Sequence, residues 1–145
     1  MPRKPYHAHL DDLPKEWKFN DTYQRVGVVS DHALVSFIWV DGDFKEPEGA
    51  RGHSHVHDQI NYVISGRMKM VLNGTDEYVL ETGDVLYIPS NVPHLPKIFE
   101  GESCFTLEVF APIRTDYLHL VEHQVDLGGE PRGTDGIRRA PHKEV

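Results

Sequence analysis

His53, His55 and His57 alternate along one short stretch, and further on the run Gly83-Asp84-Val85-Leu86-Tyr87-Ile88-Pro89 leads through Ser90, Asn91, Val92 and Pro93 to another imidazole, His94. Alternate residues of an extended strand project to one face, so His53 and His55 offer two nitrogen ligands in the same direction. A glycine that opens a strand and a proline that closes it would deliver His94 to the same place from a turn. Imidazoles so gathered suit a divalent metal. Gln59 has the strand parity of His53, and after a bend its amide oxygen can complete the set; the alternative is a glutamine hydrogen-bonded in the interior. A site of His53, His55, Gln59 and His94 holds no anionic protein ligand. The ion would keep its full charge and polarise a carbonyl or hold an enolate, unlike the carboxylate-containing sites of non-haem iron. One divalent ion is expected, zinc first with nickel, iron or manganese as alternatives, at about 2.0–2.2 Å from nitrogen and oxygen for zinc. His57 has three readings: a further ligand, an acid–base group beside the ligands, or a rim residue turned away by a bulge. We adopt the second. His7, His9, His32, His119, His123 and His142 show no such phasing and read as surface or packing residues.

The elements that must position these groups are strands. From Gln24 the chain turns β-like, and Ala33, Val35, Phe37 and Trp39 alternate with Leu34, Ser36, Ile38 and Val40, a strand apolar on both faces and therefore central. Residues 41–51 read as a loop, Asn61 to Ser65 as a strand ended by a turn at Gly66, and Asn73-Gly74 as a tight hairpin in which both positions accept positive φ. Tyr78 to Leu80, Val85 to Ile88, Pro96 to Phe99 and Ser103 to Phe110 complete about ten short strands with regular turn spacing, the pattern of an all-β antiparallel sandwich or barrel of jelly-roll type. A short helix is expected within residues 115–124. The domain reading is an irregular N-terminal arm over residues 1–23 that packs down at Trp17, one domain over 24–125, and a Gly-, Pro- and charge-rich tail over 126–145.

With 145 residues the chain has room for one domain with a real core and not for two of ordinary size. Fifteen Lys and Arg against twenty-three Asp and Glu give a net charge of −8, which opposes binding to nucleic acid or an anionic membrane and leaves a small molecule as the expected partner. Cys104 is the single cysteine, and the amino terminus has no signal-like apolar run, so a cytoplasmic location is expected.

The two motifs resemble the cupin pattern G-x5-H-x-H-x3,4-E-x6-G and G-x5-P-x-G-x2-H-x3-N, with His53, His55, Gly66, Gly83, Pro89 and His94 in register. Gln59 stands at the metal-binding glutamate, Asn91 at the second motif's glycine, Ile98 at its asparagine, and Pro47 where the first glycine belongs. The resemblance covers roughly residues 33–112 and implies a double-stranded β-helix, the cupin jelly-roll barrel, with a metal on its inner wall. Cupins commonly pair through their sheets, which implies a homodimer. Glu108-Val-Phe110-Ala-Pro112-Ile-Arg114-Thr-Asp116-Tyr117 resembles the end of the small cupins that ketonise unsaturated uronates in pectin and alginate breakdown, a likeness that gives Glu108, Phe110 and Arg114 functional roles. A salt bridge closing the last strand is the plainer reading of that segment. Small cupin cyclases of actinomycete aromatic polyketide pathways are the other likeness, in length and in a histidine-rich site above an apolar cavity.

Both implied chemistries are enolisations, with Glu108 or His57 as base and Arg114 at the site. Phe37, Trp39, Tyr62, Met70, Tyr87 and Phe110 are the candidates to line the substrate cavity. Because these are apolar and Arg114 is the single basic residue placed near the site, the cyclase is the leading expectation and uronate ketonisation the alternative. A cupin dioxygenase and a non-enzymatic sensor domain remain behind them.

Overall fold

The computed structural model describes residues 3–127, 133–134 and 137–139. In chain order the strands are β1 (Glu16–Lys18), β2 (Tyr23–Val29), β3 (Leu34–Val40), β4 (His53–His55), β5 (Asp58–Leu72), β6 (Asp76–Glu81), β7 (Val85–Ile88), β8 (His94–Ile98), β9 (Cys104–Ala111), β10 (Ile113–Arg114), β11 (Gly133–Thr134) and β12 (Ile137–Arg139). Ten of them form one curled sheet ordered β1-β2-β3-β9-β5-β8-β4-β12, with β6 and β7 also paired to β5, and every pairing in it is antiparallel. This is the all-β jelly roll expected from the sequence.

β5 closes the barrel. Its first half pairs with β7 and β9, its second with β6 and β8, and a bulge between Val63 and Ser65 re-aims the strand between the two roles. Gly66 follows at φ 79°. The sequence reading of a turn at Gly66 is therefore corrected to a bend inside one continuous strand. A Cβ there would lie 2.3 Å from the Ser103 carbonyl oxygen, so the strand crossing demands glycine. Asn73 and Gly74, at φ 54° and 76°, make the tight hairpin that their types require.

One apolar cluster gathers Val63, Met68, Met70, Leu72, Leu80, Ile88 and Cys104, and a second joins Val29, Leu34, Phe110 and Ile113 to Leu120 and Val121. The latter pair belongs to a 3-10 segment, Thr115–Leu127, kinked at Val121, where the sequence suggests a helix. Gln124 fixes that segment by accepting from Val29 N at 2.8 Å and donating to Val29 O at 3.0 Å. Gly27 lets it approach, since a Cβ there would stand 2.9 Å from Leu120 Cβ.

The arm is more ordered than its composition suggests: Leu10–Asp12 form a 3-10 turn capped by the His9 ring, and β1 joins the sheet edge. Leu13 anchors it, whereas Trp17, expected to pack down, is 54% exposed. Within the expected tail, β11 pairs with β10 and β12 with β4; the other residues of 128–145 lie outside the described residues.

Candidate metal centre

β4 and β8 pair with His53 directly opposite His94, and His55 points to the same side as His53. One ring nitrogen from each of His53, His55 and His94 falls within 4.8 Å of the others. The turn that brings His94 here depends on Asn91, which takes φ 65° in place of the family's glycine, a conformation asparagine tolerates. Its backbone N–H donates to the His55 carbonyl at 2.7 Å, tying the two motifs together.

The hydrogen bonds around the cluster determine which atoms face inward. His55 Nδ1 lies 3.0 Å from the His57 carbonyl and His94 Nδ1 lies 2.9 Å from the Val92 carbonyl. A carbonyl only accepts, so each Nδ1 carries the proton and each Nε2 turns a lone pair to the centre. Burial pushes the His55 pKa down to about 4, helped by the charges of His94 and Arg114, and burial also lowers that of His94, so both rings are neutral. The Gln59 amide N–H donates to Asn61 Oδ1 at 2.7 Å, which turns Gln59 Oε1 toward His55 Nε2 at 3.0 Å. Two lone pairs then face one another with no proton between them, and His94 Nε2 is buried without a hydrogen-bond partner. A divalent cation resolves both features, so the residues present fit a metal held by His53, His55, Gln59 and His94.

A polar chain leads away from this centre. Asn61 donates to Glu108 Oε1 at 3.4 Å, and Ser36 donates to Glu108 Oε2 at 3.3 Å. The three side chains share one row across β3, β9 and β5. Burial drives the Glu108 pKa upward, against the nearby charges of Arg25 and Arg114 and the bonds from Ser36 and Asn61.

Next to the cluster is a cavity of about 270 Å³ with His53, His94, Gln59, Glu108 and Phe110 in its wall. Arg114 and Tyr117 also line it, as do Lys18, Tyr23 and Arg25 from β1 and β2. Arg114 bonds Asp116 through Nε at 3.2 Å and Nη2 at 2.7 Å, and Arg25 bonds Glu16 through Nε at 3.2 Å and Nη2 at 2.6 Å. The two guanidinium carbons lie 4.0 Å (Arg25) and 3.9 Å (Arg114) from the centroid of the Tyr117 ring. Phe110 stands between Arg114, 4.8 Å away, and the His55 ring, 5.8 Å away.

Of the sequence candidates, the fold brings together His53, His55, Gln59, His94, Glu108, Phe110 and Arg114. It does not bring in the rest. Phe37, Trp39, Tyr62 and Tyr87 stand on the outer face, because the inward phase of the sheet is set by Ser36, Glu108, Asn61 and Ile88. Trp39 stacks instead on Phe105 at 4.4 Å. Met70 points inward but is consumed by the apolar core. The His57 ring is buried 5.1 Å from the His55 ring, outside both the nitrogen cluster and the cavity wall, and its contribution to the centre is its carbonyl. Sequence reasoning missed Lys18, Tyr23 and Arg25. A signal was present, since an arginine in a strand that runs on into Val26, Val28 and Val29 is rarely buried without a purpose.

A jelly-roll barrel that sets His-x-His and a third histidine on its inner wall defines a cupin, and residues 43–110 of this chain match the family described as Cupin domain. That match spans 68 of the 145 residues, just under half of the chain. Over 74 residues it is 36% identical to the pectin degradation protein KdgF of Dickeya dadantii (strain 3937), a stretch that makes up 49% of this chain and 66% of that protein, just short of two thirds of it. The structure of KdgF from Halomonas sp. matches with a TM-score of 0.63 at 24% identity, over 78% of this chain and 98% of that one. The polyketide cyclase RemF from Streptomyces resistomycificus matches with a TM-score of 0.61 at 19% identity, over 74% of this chain and 80% of that one. At such identities the two structures share the fold with this chain.

Proposed function

We propose that this cupin is a metal-dependent enzyme that interconverts the enol and keto forms of a small unsaturated uronate. The observation that carries the reading is the pair of buried guanidiniums, Arg25 and Arg114, in one cavity with the histidine cluster. The leading expectation of a polyketide cyclase rested on Arg114 being the single basic residue at the site, and Arg25 and Lys18 remove that ground. Buried charges are costly unless paired and hydrogen-bonded. Each guanidinium is paired through Nε and Nη2, leaving Nη1 for an oxygen-rich ligand in the cavity. At about 270 Å³ the cavity lies just below the usual range of ligand sites, roughly 300–1,000 Å³, and suits one sugar-acid monomer better than an extended poly-β-ketone chain. The 36% identity to a protein named for pectin degradation favours the same class.

A divalent cation held by His53, His55, Gln59 and His94 would polarise the substrate's reacting oxygen as a Lewis acid. Glu108 is the group that moves the proton. It takes the proton from the enol oxygen and returns it to the adjacent carbon, so that C=C becomes C–H and C–O becomes C=O. A carboxyl raised by burial toward neutrality suits both halves of that transfer. Ser36 and Asn61 hold its two oxygens in place, Arg114 compensates negative charge beside the ligands, and Phe110 keeps water from that side.

An adjoining apolar cavity of about 130 Å³, lined by Ile38, Val40, Met68 and Ile98 and sharing Glu108, is the observation that favours the cyclase as second reading. The test uses protein loaded in turn with zinc, nickel, iron and manganese. An unsaturated galacturonate monomer should lose its ultraviolet absorbance, and in deuterium oxide the product should gain deuterium at the protonated carbon. Absence of turnover with every metal, together with cyclisation of a linear poly-β-ketone, would reverse the order of the two readings.

A further inference from the structure

The cavity is asymmetric in a way that separates its two arginines. Arg114 lies over both Tyr117 and Phe110, and Phe110 touches the His55 ring, so Arg114 belongs to the metal end. Arg25 lies over Tyr117 and is held from behind by Glu16, its direct partner across β1 and β2. Glu16 is in turn bonded by His119. Each guanidinium carbon is within 4.0 Å of one ring centroid, so the two cannot be further apart than about twice that distance.

Resting on the uronate reading, we infer that Arg25 is the specificity-determining residue of this site, binding the oxygen-bearing end of the substrate remote from the histidine cluster and so selecting a sugar acid over a short keto acid. The β1–β2 hairpin is built to present it. Lys18 and Tyr23 are cross-strand partners that both line the cavity, and the hairpin tip Phe19-Asn20-Asp21 has positive φ throughout, 55°, 54° and 63°. Side-chain-bearing residues seldom adopt that conformation, and here it sets Phe19 against Tyr23 and Phe44 at the cavity wall. A guanidinium whose Nε and Nη2 are fixed by Glu16 cannot swing away. Its remaining amino group reads position as well as charge, which lysine cannot reproduce.

The test compares wild type, Arg25→Gln and Arg25→Lys, each loaded with metal and checked for metal content and melting temperature. Turnover of the unsaturated galacturonate should show KM raised about 10- to 100-fold in Arg25→Gln, because a hydrogen bond to a charged group is lost, and Arg25→Lys, which keeps a cation near Glu108, should raise KM with kcat within about threefold of wild type. Calorimetry with D-galacturonate and with pyruvate supplies a readout independent of turnover. Binding of D-galacturonate should weaken by a similar factor while that of pyruvate, which has no far end, stays unchanged. Should Arg25→Gln fail to fold, Arg25→Lys carries the same expectation at the lower end of the range. An unchanged KM, an equal weakening of both probes, or a wild type that binds neither would overturn the assignment of Arg25. A wild type that discriminates between the probes through Arg25 but turns over no uronate would instead sink the reaction and leave the assignment standing.

Discussion

A carboxyl held inside a barrel by neutral donors resists giving up its proton, and Glu108 should show this in stability as well as in rate. Below its ordinary value of about 4.5 the folded and unfolded chains both carry the proton. As pH rises past that value the unfolded chain releases it while the folded chain keeps it, so stability falls until the raised folded pKa is passed. Glu108→Gln has no such proton. Denaturant melts of the metal-free proteins should therefore show the variant gaining on wild type as pH climbs above about 4.5, and parallel pH profiles would contradict the upward shift that burial gives Glu108. The same variant should keep its metal and lose about 10²- to 10⁴-fold in turnover. His55→Ala should behave oppositely. The apolar clusters do not contain His55, so the fold should survive while bound metal drops from one equivalent to none by elemental analysis. A full equivalent retained would sink the ligand assignment.

Among the elements, β5 carries the most information and was half legible. Its bend needs a glycine with no room for a methyl group, so Gly66→Ala should cost about 3 kcal/mol or more in a thermal or urea melt. A change within experimental error would mean that β5 and β9 do not cross as described. The glycine was visible in the sequence, yet a glycine between two apolar runs reads equally as a turn or as a bulge, and only the pairing of β5 with β9 decides. The histidine cluster was legible because its residue types and spacing are the chemistry. The cavity wall was not, since β3 is apolar on both faces and alternation cannot say which face turns inward. Parity could have said it: with Gln59 inward, Tyr62 and its neighbours on that face must point out. Arg25 escaped because its two partners, Glu16 and Tyr117, come from the arm and from the 3-10 segment, which no local pattern links to β2.

At the scale of the molecule, the outward aromatics acquire a use. Ile60 faces Tyr87 and Tyr62 faces Val85 across β5 and β7, and all four are at least 40% exposed, a contiguous apolar patch of the kind that marks an interface. We propose that the homodimer implied by the family resemblance forms through this face. Sedimentation should show a dimer at micromolar concentration and a monomer for Val85→Lys with its melting temperature preserved; a wild type that stays monomeric would remove the proposal.

The route of β5 through the barrel also has a kinetic consequence. Its amides from Gln59 to Tyr62 lie between β7 and β9, so their hydrogens should exchange with solvent only when the whole barrel opens. β1, three residues long at the sheet edge, is free to fray without it. Gln59 thus keeps its place on the slowest clock in the molecule, while Glu16, which fixes Arg25, sits on a faster one.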